Sequence, residues 1–264
     1  MSKYTEYTVK SDEKKRLIII TDIHNCHLDW YDMPTAERME LMCEVLNKEY
    51  EFKPYDCILA LGDYSLDYWK WNIKGSYMWD EPVSRTDEFM KLYFPKFPAE
   101  TFLIPGNHEL YSEEDWKRFT GFPREFSVVY GDYVFVMLDT FAGDLAPKEH
   151  SDGVYSGLNV ELIKEVLANH PDKKIFLCTH DIYVAKESEE ARELIAGEKR
   201  IVCAFAGHTH KDNTLILPDE WRNLPVIYCG DFSYNSGRQK EKNWGYRILD
   251  LSGAAISTEY KKID

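Results

Sequence analysis

The chain has 264 residues, 44% of them hydrophobic, which is enough to bury a sizeable core but does not by itself fix the number of domains. Its 32 basic and 46 acidic residues give a net charge of −14, which argues against broad binding to nucleic-acid backbone, since that needs a basic surface. No stretch is apolar enough to span a bilayer, and residues 1–15 lack the apolar core of a signal peptide. We therefore expect a cytoplasmic protein with no membrane partner.

Strand and helix patterns alternate through the first half of the chain. Residues 16–21 (RLIIIT) are largely apolar and predict a strand buried on both faces. Thr35 is placed to cap a helix whose apolar residues recur at helical spacing as far as Tyr50. Residues 56–61 and 101–104 then predict a second and a third buried strand.

The second half begins with a helix and ends in strands alone. Ser112 with Asp115 predicts the capped start of a short helix. The further predictions are a hairpin of residues 126–130 and 133–138, helices over 159–168 and 187–196, and strands over 174–179, 201–206, 214–217, 226–229, 246–249 and 255–258. This order predicts an α/β protein of two packed sheets with helices outside, in one domain spanning residues 1–264.

The six cysteines form no C-x-x-C pair. Four of them, Cys57, Cys178, Cys203 and Cys229, lie inside apolar runs. We therefore expect buried thiols rather than disulfides or a zinc knuckle.

Five of the predicted buried strands end in groups of potential metal ligands. The groups are Asp22-Ile23-His24, Gly62-Asp63, Gly106-Asn107-His108-Glu109, Thr179-His180-Asp181 and Gly207-His208-Thr209-His210. Because ligands of open α/β sheets bind beyond the carboxyl ends of the strands, we expect these loops to converge. Each group alone could be a polar cap on a turn, but all five in this order argue for one site.

The residue types suit a pair of divalent ions. Asp22 and His24 are two apart at a strand end, so both side chains point to one side and can chelate one ion. His208 and His210 repeat that spacing, and Asp63 has two oxygens that can bridge two cations. Mixed imidazole and carboxylate ligation suits Mn, Fe or Zn better than Ca.

Three further residues complete the pattern. Gly62 and Gly207 allow a turn or a close backbone approach just before a ligand, and Asn107 adds a neutral oxygen donor. With these motifs the sequence resembles the calcineurin-like metallophosphoesterase superfamily from about residue 16 to about residue 250. The resemblance implies a four-layer αββα sandwich of two mixed sheets flanked by helices. It also implies a dinuclear phosphatase or phosphodiesterase with two divalent transition-metal ions, manganese being favoured.

The resemblance assigns roles to individual residues. One ion takes Asp22, His24, Asp63 and His210, and the other takes Asp63, Asn107, His180 and His208. His108 is expected to face the substrate, to stabilise the phosphoryl oxygens and to protonate the leaving alkoxide as general acid. The nucleophile implied is a hydroxide that bridges the two metals.

The sequence departs from the family's pattern after Asp63. Many members carry an acid three residues after this aspartate, which orients the catalytic histidine, followed by an arginine. Here Leu66 stands at that position, Asp67 comes one residue later, and no arginine follows. Asp67 is our candidate for the orienting acid. Leu66 also excludes the tyrosine ligand of purple acid phosphatases, so we expect no tyrosinate-coloured ferric site.

Residues 64–97 form a long, aromatic-rich connection between the second and third strands. Its aromatic residues include Tyr64, Tyr68, Trp69, Trp71, Tyr77, Trp79, Phe89, Tyr93, Phe94 and Phe97. The connection is either a wall over the metals on which a substrate ring stacks, or a self-packed insertion. Tyr64 and Asp67 are the candidates for supporting the site or contacting the substrate.

Two further acids stand close to the predicted ligands in the sequence. Asp181 follows His180 and either supports the site or is a loop acid. Asp231 follows Gly230, a pair that most often marks a turn and less often lies at a site.

We therefore expect hydrolysis of a phosphomonoester or phosphodiester of small or moderate size. The alternatives are a nuclease or a protein phosphatase on the same scaffold, or a non-catalytic scaffold protein. The net charge argues against a nuclease, and the missing acid and arginine argue against a protein phosphatase. Retention of His108 and of every ligand argues against a scaffold, while the oligomeric state stays open.

Overall fold

The computed structural model describes residues 3–26, 33–67, 84–145, 152–233, 243–253 and 255–263. Within these ranges the strands are β1 (Thr5–Thr8), β2 (Arg16–Ile20), β3 (Cys57–Ala60), β4 (Glu100–Leu103), β5 (Phe126–Tyr130), β6 (Tyr133–Leu138), β7 (Lys174–Thr179), β8 (Ile201–Ala206), β9 (Thr214–Ile216), β10 (Pro225–Tyr228), β11 (Gly245–Asp250) and β12 (Ser257–Lys262). The helices are α1 (Thr35–Phe52), α2 (Arg85–Leu92), α3 (Glu113–Thr120), α4 (Val160–Asn169) and α5 (Glu189–Gly197).

The strands form two mixed sheets. The larger sheet has the order β1-β5-β6-β7-β8-β10-β9, and the smaller has the order β12-β11-β2-β3-β4. Strands β6, β7, β8 and β10 are parallel in the larger sheet, as are β2, β3 and β4 in the smaller. Parallel neighbours end at the same edge of a sheet, so the loops after β2, β3 and β4, and those after β7 and β8, lie side by side.

Apolar side chains pack between four layers. Ile19 of the smaller sheet and Phe176 of the larger belong to the cluster between the two sheets. Ile163 of α4 belongs to the cluster on the outer face of the larger sheet. Met42 of α1 and Trp116 of α3 belong to the cluster on the outer face of the smaller sheet. The result is the αββα sandwich that the resemblance implied.

Several elements match the sequence prediction closely. The strands of the β5–β6 hairpin have the predicted bounds, and its turn contains Gly131 at φ +54°. The Ser112 side chain caps α3 by accepting the N–H of Asp115 at 3.1 Å. These agreements follow from local turn and capping chemistry, which can be predicted from a few neighbouring residues in the sequence.

Two local predictions need correction. Thr35 does not cap α1, because Pro34 is the residue before the helix and the Thr35 hydroxyl donates instead to the carbonyl of Cys26. Strand β1 was not predicted, because three of its four side chains are exposed and its partner β5 is distant in the chain. Strand β1 therefore depends on a tertiary contact rather than on its own pattern.

All six cysteines lie among the described residues, where they are buried and form no disulfide. The prediction of buried thiols is confirmed. Across the described ranges, no helix has both the length and the apolar composition needed to cross a bilayer.

Candidate metal centre

The predicted ligands converge where strands of both sheets end. They are Asp22 and His24 after β2, Asp63 after β3, Asn107 after β4, His180 after β7, and His208 and His210 after β8. The smaller sheet contributes four of these residues and the larger sheet three. The histidine and aspartate members form groups whose ligand atoms lie within 4.8 Å of one another.

One group joins Asp22, His24 and His210. The Oδ1 atom of Asp22 lies 3.1 Å from Nε2 of His210 and 3.9 Å from Nε2 of His24. The Oδ2 atom of Asp63 is 3.4 Å from the same nitrogen of His24. The second oxygen of Asp22 accepts the backbone N–H of His208 at 2.9 Å, which fixes the carboxylate across the two sheets.

A second group joins Asp63, His180 and His208, with Asn107 between the two histidines. Nε2 of His180 lies 3.1 Å from Oδ2 of Asp63 and 2.9 Å from Oδ1 of Asn107. Nδ1 of His208 lies 2.8 Å from the same amide oxygen. Nδ1 of His180 is 2.7 Å from the carbonyl oxygen of Leu61 and donates to it, which leaves Nε2 as the atom directed at the group.

Asp63 belongs to the second group and also faces His24 of the first. Its Oδ2 faces His24 on one side and His180 on the other. Its Oδ1 accepts the backbone N–H of His108 at 3.1 Å, which holds the carboxylate in this orientation. The position is the one required of a ligand shared by two ions.

The ligand atoms are arranged to bind cations rather than to form hydrogen bonds with one another. Oδ1 of Asp22 is buried and accepts no hydrogen bond from the described residues, yet two imidazoles face it. Nε2 of His180 likewise faces two oxygens, those of Asp63 and Asn107. A buried polar atom without a hydrogen-bond partner is often explained by an ion. These residues therefore fit two divalent ions that share Asp63.

Five of the seven candidate ligands have left-handed backbone. Their φ angles are 55° at Asp22, 51° at His24, 58° at Asp63, 61° at His208 and 55° at His210. Non-glycine residues rarely adopt positive φ, and such residues concentrate at functional sites. Strands β2, β3 and β8 therefore each end in a sharp reversal at the ligand, which a sequence pattern does not reveal.

Two glycines permit the close packing of these loops. A Cβ on Gly207 would lie 1.9 Å from the hydroxyl of Thr21 and 2.6 Å from Oδ2 of Asp22. Gly62 has φ +100°, and a Cβ there would lie 2.5 Å from the nitrogen of Gly106. The predicted need for glycine before Asp63 and His208 thus has a steric basis.

Glu109 is a structural residue of the site for which the sequence analysis gave no role. Its buried carboxylate accepts backbone N–H groups of Gly106 at 2.7 Å, Asp63 at 2.8 Å, Tyr64 at 2.9 Å and Ser65 at 3.2 Å. It joins the loops after β3 and β4 from behind the ligands. Its place as the last residue of the Gly-Asn-His-Glu motif was the available signal.

The charges of the site favour positive ions. Burial opposes ionisation of Asp63, but the imidazoles of His180 and His108 hold its pKa well below its ordinary value. Burial lowers the pKa of His24 to about 4, so its ring is neutral and able to bind a metal. Burial also acts to lower the pKa of His180, but the carboxylate of Asp63 outweighs it and raises the value to about 10. The carboxylates thus attract positive charge that divalent ions can supply.

His108 lies beside the ligands with a carboxylate near each ring nitrogen. Its Nε2 is 3.6 Å from Oδ2 of Asp63, and its Nδ1 is 3.5 Å from Oδ1 of Asp152. The structure does not bring Asp67 to this ring. The Asp67 carboxylate instead accepts the Ser84 hydroxyl at 2.8 Å and the N–H of Arg85 at 2.9 Å. Asp152, which the sequence analysis did not select, occupies the place expected of Asp67.

Tyr64 lies behind the site rather than in it. Its ring is buried and stacks on Phe89, and its hydroxyl donates to the carbonyl of Ala60 at 2.9 Å. The backbone N–H of Tyr64 donates to the Glu109 carboxylate. Its contacts therefore support the loop after β3.

The two acids left open by the sequence both lie near candidate ligands. Oδ2 of Asp231 is 3.8 Å from Nδ1 of His210, and the side chain is buried. Oδ2 of Asp181 is 3.9 Å from Nε2 of His208. The Tyr183 hydroxyl is nearer to that nitrogen, at 2.8 Å.

The described part of the aromatic connection packs on itself. Phe89 of α2 contacts the rings of Tyr93, Phe94 and Phe97. Tyr68, Trp69, Trp71, Tyr77 and Trp79 lie outside the described residues. The proposed wall over the metals concerns those residues and stays a prediction.

Comparison with known proteins places the chain in a broader setting. The sequence matches the family described as calcineurin-like phosphoesterase over residues 15–212. No curated protein sequence matches it. Solved structures with a similar fold include a Thermus thermophilus protein, with a TM-score of 0.52 and 13% identity over 93% of this chain and 98% of that one.

Two further structures are similar at lower identity. A purple acid phosphatase from yellow lupin seeds has a TM-score of 0.57 and 12% identity over 94% of this chain and 51% of its own. A Plasmodium protein described as the anchor in the inner membrane complex has a TM-score of 0.53 and 12% identity over 93% of this chain and 83% of its own. At these identities the likeness is one of fold.

Proposed function

The chain belongs to the calcineurin-like phosphoesterase family, and from that premise we propose that it hydrolyses a phosphomonoester or phosphodiester of small or moderate size. Membership supports metal-dependent phosphoester hydrolysis in general. The observation that carries the finer proposal is the position of Asp63 between two groups of donor atoms, with His108 beside it.

Two divalent ions are part of the proposal. The first would be held by Asp22, His24, Asp63 and His210, and the second by Asp63, Asn107, His180 and His208. When bound, such ions neutralise charge on the phosphoryl oxygens and lower the pKa of a bound water towards about 7. The mix of imidazole, carboxylate and amide oxygen suits Mn, Fe or Zn, and we choose manganese among them from the family resemblance.

His108 supplies the proton in this mechanism. Its ring is largely enclosed, with 11% of the side chain exposed, and it borders the group formed by His24 and Asp63. A histidine in this place can donate a proton to the leaving alkoxide, a contribution worth about 10²–10⁴-fold in rate. Asp63 and Asp152 face its two nitrogens at 3.6 Å and 3.5 Å, which favours this orientation of the ring.

The remaining residues of the site hold these groups in place. Glu109 fixes the loops that carry Asp63 and Asn107, and the carbonyl of Leu61 fixes the ring of His180. A preorganised set of donors needs no rearrangement during the reaction. No serine or cysteine nucleophile is required, and we expect no phosphoenzyme.

A substrate and metal screen tests the proposal. Chelator-treated protein is supplied with Mn²⁺, Fe²⁺ or Zn²⁺ and assayed with p-nitrophenyl phosphate, its bis-ester and 2′,3′-cyclic nucleotides. We expect metal-dependent release of product that chelator abolishes and fresh metal restores. Protein that binds two ions but hydrolyses none of these esters would favour the non-catalytic alternative instead.

A further inference from the structure

We propose that Tyr183 is a positioning residue that makes Nδ1 of His208 a metal ligand and thereby sets the affinity of one of the two ion sites. The hydroxyl of Tyr183 lies 2.8 Å from Nε2 of His208, while Nδ1 of that ring lies 2.8 Å from Oδ1 of Asn107. A neutral imidazole has one N–H, so a proton on Nε2 that is donated to the phenol oxygen leaves the Nδ1 lone pair for the ion. This inference rests on the proposed function.

The ring of Tyr183 is held on two sides. It stacks on Tyr155, with the ring centroids 4.6 Å apart. It also makes an edge-to-face contact with Phe141, with the ring centroids 5.8 Å apart. The Tyr155 hydroxyl accepts the backbone N–H of Tyr183 at 3.0 Å and itself contacts the Glu187 carboxylate. The position of the phenol oxygen is therefore set by contacts outside the ligand groups, which allows it to orient a ligand.

Asp181 is the rival partner for the same nitrogen, but its carboxylate is engaged elsewhere. Its Oδ2 is 3.9 Å from Nε2 of His208, beyond hydrogen-bond distance. Its Oδ1 accepts the Tyr228 hydroxyl at 2.9 Å and the N–H of Ile182 at 2.7 Å. Tyr183 is thus the nearer partner of His208.

The two histidines of this site present opposite ring nitrogens. His180 gives Nδ1–H to the carbonyl of Leu61 and directs Nε2 at the group, whereas His208 directs Nδ1 at it. A backbone carbonyl holds the first ring and a side-chain phenol holds the second. A substitution at Tyr183 therefore alters one ligand of the site and leaves the first ring unchanged.

Tyr183→Phe removes only the hydroxyl and retains the stacked ring. Metal-stripped protein is titrated with Mn²⁺ or Zn²⁺ against a competing chelator, so that the two binding steps are resolved without an activity assay. We expect one step to weaken by about 10–100-fold, the usual effect of removing such a partner, and the other to stay unchanged. In the Zn²⁺-loaded wild type, ring ¹⁵N spectra should show the His208 proton on Nε2.

Tyr228→Phe is the matched control, since its hydroxyl bonds Asp181 rather than His208. We expect this variant to bind both ions as the wild type does. Two unchanged steps in Tyr183→Phe, equal weakening of both steps, or a His208 proton on Nδ1 would each overturn the assignment of Tyr183. Failure of the wild type to bind a second ion would overturn the two-ion proposal itself, and this inference with it.

Discussion

The Oδ1 atom of Asp152 lies 3.5 Å from Nδ1 of His108 and 3.3 Å from Nδ2 of Asn107. One carboxylate thus faces both the proposed proton donor and the amide of a proposed ligand. The backbone supports this contact, because the N–H of Gly153 donates to the carbonyl of Asn107 at 2.6 Å. The segment after residue 151 therefore lies against the candidate site.

Asp152→Asn should reduce turnover by weakening the orientation of His108. We expect a loss of no more than about fivefold on an alkyl phosphate, the rate equivalent of about 1 kcal/mol for an ion pair, because 61% of the Asp152 side chain is exposed. Metal content should not change. The loss should disappear when the substitution is made in a His108→Ala background. A full further loss in that background would show that Asp152 acts independently of His108.

Asp67→Asn is the comparison that the sequence itself suggests. Its carboxylate accepts hydrogen bonds from Ser84 and Arg85, so we expect Asp67→Asn to lower the stability of the protein. Any loss of turnover should be the same with and without His108. A double-mutant cycle with His108 measures this directly. Coupling of Asp67, and not Asp152, to His108 would return the orienting role to Asp67.

His108→Ala should retain both metals and the fold but lose roughly two to four orders of magnitude in turnover on an alkyl ester. The loss should be small for p-nitrophenolate, which departs without a proton. Pre-steady-state rates on the two substrates measure the difference, with His170→Ala as a control, since His170 bonds Glu6 at the end of α4. An equal loss on both substrates would mean that His108 stabilises the phosphoryl oxygens instead.

Asp63→Asn should remove most of both metals, because this carboxylate faces a histidine of each ligand group. Metal analysis of the purified variant, beside wild type carrying close to two ions per chain, measures the change. Asp132→Asn, an exposed acid of the β5–β6 turn, should keep both ions. Unchanged metal content in Asp63→Asn would contradict the shared ligand.

The candidate ligands could be predicted because each stands in a short motif directly after an apolar strand. Asp22 and His210 illustrate this. They follow β2 and β8, and the packing of the two sheets brings the ends of these strands together independently of the loop conformation. Asp152 could not be predicted, because it lies in an irregular segment and reaches His108 through the tertiary fold. The left-handed backbone at Asp63 was equally hidden, since only the preceding glycine signals a reversal.

Boundaries that depend on packing were also less predictable. The last strand begins at Ser257 rather than at residue 255, and most of its side chains are exposed. Helix α2, which lies in the aromatic connection, was not predicted, although Ser84 caps it by accepting the N–H of Asp87. Local capping chemistry was present there, but the aromatic density obscured the helical spacing.

Glu49 offers a prediction about stability away from the metals. Its buried carboxylate contacts Arg16 and Lys261 and accepts the hydroxyl of Tyr246 at 2.6 Å. Burial opposes its ionisation, but Lys261, Tyr246 and Arg16 hold its pKa below its ordinary value. Glu49→Gln should lower the free energy of unfolding at pH 7 by about 3 kcal/mol, because Arg16 would be left buried without its partner.

The sign of the pH dependence follows from the lowered pKa. Stability contributed by Glu49 is fully present above its unfolded-state pKa and is lost as pH falls through its folded-state value. The difference between wild type and Glu49→Gln, measured by denaturant unfolding, should therefore shrink in acid. Glu44→Gln, an exposed acid paired with Lys48, should change stability by no more than about 0.5 kcal/mol at any pH. A constant difference for Glu49→Gln across the pH range would contradict the ionic account.

The distribution of ligands between the sheets has a mechanical consequence. Asp22, Asp63 and Asn107 come from the smaller sheet, and His180, His208 and His210 from the larger, so each proposed ion would be clasped from both sides of the sandwich. Such an ion would link the two sheets, because they could not separate without releasing it. At a free-ion concentration a hundred times the dissociation constant, one such ion adds about 2.7 kcal/mol to the free energy of unfolding. Metal supply would then set the thermodynamic stability of the folded protein as well as its turnover.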